Sequence, residues 1–374
     1  FGLAMKAVAD AHPQETEYAV LASHALLIPI RAGNESGLAL ALALLEQVLK
    51  TRPDDTGAIH YYIHATEFAN RARDAEAYAN RLGDLAPAAG HLVHMPAHTF
   101  FWAGRYHDAA VVNAKAIEAD VRWTAGGGDT PLPTPAGVGG YYAHNYAFGV
   151  AGALMSGDAE LGLRFARHAE VAWPQTSDAA LAPRRGYPVS FAYVALARYA
   201  PEEALRLPAP DAAAGPQLQM IWRYARGEAL LARGDLAGAQ GEARAIRRLK
   251  TGGEPAAQVA RQVLEGRIAL ARGAARKAAR LFQNAAELQE AKLTEHRDPP
   301  VWWYPVRRSL AAASLEAGDP ARAKAEAEAS LKDWPDDALA LWVLARAQRA
   351  LGDAEGAGSS EAAARRSWRG DYAT

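Results

Sequence analysis

Alanine-rich apolar stretches alternate along the chain with short polar turns built around a glycine. The same order recurs: a helical stretch, a Gly-containing turn, then a second Ala-rich helical stretch. It stands at Gly104-Arg-Tyr-His-Asp-Ala109, Gly157-Asp-Ala-Glu-Leu-Gly162 and Gly234-Asp-Leu-Ala-Gly-Ala239. It returns at Gly273-Ala-Ala-Arg-Lys-Ala278, Gly318-Asp-Pro-Ala-Arg-Ala323 and Gly352-Asp-Ala-Glu-Gly-Ala357. Small residues recur before the turn (Ala97, Gly227, Gly266, Ala311, Ala345) and after it (Ala116, Ala169, Ala285). Small side chains let two helices approach closely. Glycine permits the tight turn, and proline stops the second helix, here at Pro53, Pro87, Pro174 and Pro335. The turn glycines are unequally spaced: Gly318 and Gly352 are the closest pair and the earlier ones stand further apart, so the array is degenerate and carries insertions.

Over most of the chain this pattern resembles the tetratricopeptide repeat (TPR), a helix–turn–helix of about 34 residues, at roughly seven or eight units. The interval from Gly318 to Gly352 matches that length. The resemblance implies an all-α, TPR-like α-solenoid, curved with a concave groove. Two stretches break the pattern. Residues 123–140 (WTAGGGDTPLPTPAGVGG) are too rich in Gly and Pro for a helix and are expected as a long loop, able to act as a lid. Residues 186–215, with Pro188, Pro201, Pro208 and Pro210, are expected as an irregular connector. The expected organisation is a His-rich repeat region at 1–185, the connector, and C-terminal repeats at 216–374. The first residue is Phe1 and the segment before Pro53 starts partway into a repeat, so an upstream piece is expected. No secretion signal is visible, which favours a bacterial cytoplasm over a periplasm.

Composition narrows the chemistry. Lys and Arg number 41 against 42 Asp and Glu, so no global charge attracts nucleic acid or an anionic membrane. Cysteine is absent, which removes disulfides, thiolate metal sites and a Cys nucleophile. No apolar run reaches the roughly 18–20 residues of a membrane span. Gly126-Gly-Gly128 lacks the Lys and Ser/Thr of a phosphate loop, and no Ser-His-Asp set stands out.

Histidine carries the candidate chemistry. Nine of the 11 histidines lie at or before His144. His60-Tyr-Tyr-Ile-His64-Ala-Thr-Glu67 puts three ligand-capable side chains at i, i+4 and i+7, on one helical face. His91-Leu-Val-His94-Met-Pro-Ala-His98 follows with a second i, i+4 pair. His94 and His98 each lie one repeat length after His60 and His64, so the two pairs occupy the same two columns of adjacent repeats. In TPR proteins those columns usually line the groove, so the resemblance implies that both pairs face it. First helices packed about 8–10 Å apart bring four imidazoles towards one metal or a close pair. Glu67, His91, His144 and, by a looser count, His24 stand near the same stripe. Pro96 is expected to start the helix of His98 and leave His91 and His94 on the loop before it. Tyr61, Tyr62, Tyr141, Tyr142 and Asn145 are candidates for orienting the ligands.

The segments HYYIHATE and AGHLVHMPAHTFFWAGRYHDA resemble a bacterial TPR-type family related to the tetratricopeptide repeat protein 38 group, as does Pro299-Pro-Val-Trp-Trp-Tyr-Pro305 followed by Arg307. At His24 the family pattern suggests an acidic residue, so the resemblance implies one ligand-capable side chain in place of another.

Imidazoles with one carboxylate and no thiolate suit copper or iron, with zinc or manganese as alternatives, rather than calcium or magnesium. The expected metal ligands are His60, His64, His94 and His98, then Glu67, His144, His91 and His24. The expected function is a metal-dependent, oxygen-activating oxidoreductase with one or two metal ions, acting on a small molecule or peptide, with Glu67, Tyr62 and Tyr142 as catalytic side chains. Three alternatives stand beside it: a zinc hydrolase with Glu67 as general base, a non-catalytic scaffold whose histidines line a groove for a protein or peptide partner, and a metal carrier without catalysis. Trp302, Trp303 and Tyr304 either pack between repeats or close a substrate pocket.

Overall fold

The structure is a computed structural model that describes residues 1–125, 141–178, 186–249, 251–294 and 298–370. Among them the regular structure is helical throughout. The α-helices are α1 (Gly2–Ala11), α2 (Thr16–Leu27), α3 (Leu38–Thr51), α4 (Thr56–Phe68), α5 (Glu76–Leu85), α6 (Gly90–His94), α7 (Pro96–Trp102) and α8 (Tyr106–Ala125). They continue as α9 (Tyr141–Ser156), α10 (Ala159–Ala172), α11 (Gly186–Tyr199), α12 (Pro201–Arg206), α13 (Gly215–Ala232) and α14 (Leu236–Arg248). The last are α15 (Pro255–Ala271), α16 (Ala275–Lys292), α17 (Val306–Glu316), α18 (Pro320–Asp333), α19 (Ala338–Ala350) and α20 (Ala354–Ser367). Successive helices pack as hairpins, for example α13 on α14, α15 on α16, α17 on α18 and α19 on α20. The fold is an all-α, TPR-like helical repeat.

The sequence punctuation explains the hairpins. All six turn glycines take left-handed backbone, with φ between 71° and 88°. In four of them the next residue is an aspartate that caps the second helix. Asp158, Asp235, Asp319 and Asp353 each accept the backbone N–H three residues on at 2.8–2.9 Å. Such a cap contributes about 1 kcal/mol. The small residues on either side of the turn are buried, as their packing role requires. Pro53, Pro87, Pro174 and Pro335 each directly follow the C-cap residue of a helix.

The chain divides into two compact units, Phe1–Thr130 and Pro131–Thr374, a division inside the Gly- and Pro-rich stretch. Of the loop expected at 123–140, the first three residues belong to α8 and the rest lie outside the described residues. The connector expected at 186–215 is instead largely helical: it holds α11, α12 and a short 3-10 turn. Pro188 and Pro201 both fall in first turns, where no intrahelical N–H is missed. In the second unit Trp302, Trp303 and Tyr304 are buried and pack on one another and on Tyr224, while Arg307 pairs with Glu290 and Glu326. No helix among the described residues is long and apolar enough to cross a membrane.

Candidate metal centre

Four helices of the first unit bring the histidines together. Helix α4 carries His60, His64 and Glu67 and packs on α3, α5 and α7; α6 and α7 pack on α8. Pro96 starts α7, but His91 and His94 lie on helix α6 rather than on a loop. Met95 keeps right-handed helical angles, with φ −49° and ψ −38°, and bridges the two helices. The proline removes one backbone donor while the i, i+4 register of His94 and His98 survives.

Five imidazoles form a closed ring. Going round it, the ring centroids of His60 and His91 are 4.9 Å apart, His91 and His94 6.1 Å, His94 and His98 4.9 Å, His98 and His64 4.9 Å, and His64 and His60 5.3 Å. Two pairs meet through nitrogen. His94 Nε2 and His98 Nε2 are 2.9 Å apart, and His60 Nε2 and His91 Nε2 are 3.2 Å apart. Two nitrogens bound to one metal at about 2.0–2.1 Å stand roughly 2.8–3.4 Å apart, from a right angle to a tetrahedral one. Both pairs fall in that window. The one-repeat spacing aligns His60 with His94 and His64 with His98; the structure places His64 beside His98 but pairs His60 with His91 through nitrogen.

The hydrogen bonds behind His94 and His98 fix their protons. Asn113 Nδ2 donates to Ala109 O at 2.7 Å, which turns Asn113 Oδ1 to His94 Nδ1, also at 2.7 Å. His94 therefore carries its proton on Nδ1. His98 Nδ1 lies 2.9 Å from Glu67 Oε2, and an ionised Glu67 places the proton on that nitrogen too. Two neutral rings held this way turn bare Nε2 lone pairs at each other across 2.9 Å, in a buried place. A shared proton or a metal ion fits between them. Metal-binding histidines ordinarily tie their second nitrogen to a carboxylate or a carbonyl, as both do here.

Glu67 is buried, and both its oxygens are engaged: Trp102 Nε1 donates to Oε1 at 3.1 Å and His98 meets Oε2. The carboxylate orients an imidazole. His64 Nδ1 is 3.6 Å from the same Oε2, and His64, Glu67 and His98 each offer a donor atom within 4.8 Å of the others. His24 is exposed; its ring stacks on Tyr61, which stacks on His60, so an aromatic ring stands between His24 and the imidazole ring.

Tyr62 points away from the histidines, and its hydroxyl donates to Glu46 at 3.4 Å. Burial, then the Glu46 charge, pushes its pKa up to about 12. His144 and Tyr142 belong to the second unit, where His144 pairs with Asp298 at 3.0 Å and Tyr142 packs on Tyr146 and Trp173. Asn145 is buried in the same unit, and the side chain of Tyr141 lies outside the described residues. Asn113 and Trp102, which do hold the site, were not among the residues singled out from sequence.

Burial, then the neighbouring histidines, drives the pKa of His60 down to about 2. The folded state thus refuses a proton that the unfolded chain takes near pH 6.5. The stability this gives is complete above about pH 6.5 and falls as pH drops below it. The midpoint of urea unfolding, followed from about pH 7.5 to 5, is expected to fall for the wild type and to fall less for His60→Phe.

Neither any family model nor any curated protein matches the chain. Among solved structures it is similar to the human IFIT1 dimer with PPP-AAAA, at 12% identity over 94% of this chain and 72% of that one, with a TM-score of 0.37. It is similar to the APC/C hetero-tetramer Cut9-Hcn1 at 11% identity, 98% and 92% coverage, and a TM-score of 0.33. The TPR domain of P58(IPK) matches at 14% identity, 94% and 93% coverage, and a TM-score of 0.26.

Proposed function

We propose that this chain is a transition-metal-binding helical-repeat protein whose ion sits between His94 Nε2 and His98 Nε2. The observation that supports this is the facing pair of nitrogens at 2.9 Å, each ring held by Asn113 or Glu67 through its other nitrogen. His64, whose ring centroid lies 4.9 Å from that of His98, is a further nitrogen donor. An all-imidazole donor set favours copper or iron, with zinc next, over calcium or magnesium. Because Glu67 is occupied in orienting His98, the reading is metal binding; oxygen activation would use positions on the ion that these two histidines leave open.

A second reading is a non-catalytic scaffold for a protein or peptide. It is favoured by helix hairpins that run through both units, and it is compatible with a bound ion.

Protein produced without a polyhistidine tag and titrated with Cu(II) or Co(II) in equilibrium dialysis is expected to hold about one equivalent tightly. His94→Ala and His98→Ala should each remove that binding, and His12→Ala should leave it intact. Uptake below about a tenth of an equivalent, or uptake unchanged in both variants, would overturn the metal reading and leave the scaffold.

A further inference from the structure

The ion proposed above uses two of the five imidazoles in the ring. The other nitrogen-to-nitrogen contact joins His60 of α4 to His91 of α6. Their Nε2 atoms are 3.2 Å apart and their rings nearly perpendicular, at 84°. This repeats the geometry of His94 and His98, whose Nε2 atoms are 2.9 Å apart and whose rings meet at 77°. The two pairs are neighbours. His91 and His94 stand one turn apart on α6, with ring centroids 6.1 Å from each other. On the other side His64 lies between the pairs, 5.3 Å from His60 and 4.9 Å from His98.

The fold sets the contact from behind. Helix α6 is seated on α5 and α8. Gly90, at its start, lies so close to the Asp120 carboxylate of α8 that a Cβ there would overlap it. His91 therefore reaches His60 from a helix with a fixed seat. One imidazole pair in nitrogen contact is ordinary hydrogen bonding. Two such pairs, adjacent in one ring and both at the spacing of two ligands on one ion, make a two-ion donor set.

We propose that His60 Nε2 and His91 Nε2 hold a second transition-metal ion, copper or zinc, beside the first. This rests on the metal reading above and adds an ion to it. Bonds of about 2.0–2.1 Å to nitrogens at this separation meet at roughly 100°, between a right angle and a tetrahedral one. Neutral imidazoles without thiolate suit these ions. The two sites differ in access. His94 and His98 are buried, whereas His60 and His91 are half-buried, so the second ion keeps positions open to water. The charge of the first ion repels it, and it is expected to bind about tenfold more weakly.

The test carries the dialysis of the tag-free protein to free Cu(II) about a thousandfold above the dissociation constant of the first site. The wild type and His12→Ala are expected to hold two equivalents, and His60→Phe and His91→Ala one each. At two equivalents the Cu(II) electron paramagnetic resonance spectrum of the wild type is expected to be broadened by the neighbouring ion. The single ion of His60→Phe should give a sharp one. A wild type that stops at one equivalent would overturn the second site and leave the first. No uptake at all would overturn both. Two equivalents in both His60→Phe and His91→Ala would place the second ion elsewhere and overturn the proposal, as would an unbroadened spectrum at two equivalents. So would loss of both ions from both variants at wild-type helicity, which would mean one ion shared by all four histidines.

Discussion

Replacing His98 with alanine is expected to cost the metal-free protein about 3 kcal/mol. The loss comes less from the imidazole than from what it leaves behind. Glu67 stands in the last turn of α4, where the helix end is itself negative and disfavours a carboxylate. Its side chain is only 4% exposed, so water cannot replace the lost donor. After the substitution Trp102 Nε1–H remains, and Oε2 loses the N–H now 2.9 Å away. Glu67→Gln removes the charge and keeps the shape, so it is expected to cost only about 1 kcal/mol. The double variant should be more stable than the sum of the single losses allows, with a coupling of about 1–3 kcal/mol in a urea-unfolding cycle. Additive losses would show that the two side chains act separately and that the proton of His98 is not fixed by Glu67. With metal in large excess over its dissociation constant the contrast widens. The wild type gains about 4 kcal/mol at a thousandfold excess, and the His98 variant gains nothing from that ion.

Much of the fold is legible because it is written in backbone chemistry. A glycine that must take positive φ, an aspartate one place later and an alanine pressed against a neighbouring helix leave marks that survive in a degenerate array. The errors fall where composition stands in for position. The prolines of 186–215 suggest irregular structure, yet Pro188 and Pro201 stand at helix starts, where proline is welcome. The candidate site divides in the same way. Equal columns in successive repeats identify the face on which the histidines gather, because a repeat fixes the direction of a side chain. They do not say which rings touch. His91 meets His60 across two helices, and that pairing depends on how α6 is seated. Tyr62 is two residues from His60, about 200° round the helix, and so could be placed on the opposite face by arithmetic alone. Asn113 carries no signal beyond being a polar residue in an alanine- and valine-rich run of α8, and only the fold shows that it holds His94.

Gly157→Ala is expected to destabilise the second unit by about 2–4 kcal/mol, through two effects that one other glycine separates. The backbone at Gly157 has φ +73°, which costs an alanine about 1 kcal/mol. The new Cβ would also stand 2.5 Å from Trp368 Cε2, with two more indole atoms at 2.6 and 2.7 Å. That ring has little room to tip. It is buried, Gly370 lies against the same part of the indole, and Arg369 N–H donates to Ser156 O at 2.8 Å, tying the C-terminal segment down beside it. Helix α20 or the turn must therefore shift, an overpacking cost of about 1–3 kcal/mol. Gly352 has φ +85° and open space where its Cβ would be, so Gly352→Ala should show the backbone cost alone, about 1 kcal/mol. Equal losses in the two variants, measured by urea unfolding, would mean that Trp368 does not close against the Gly157 turn.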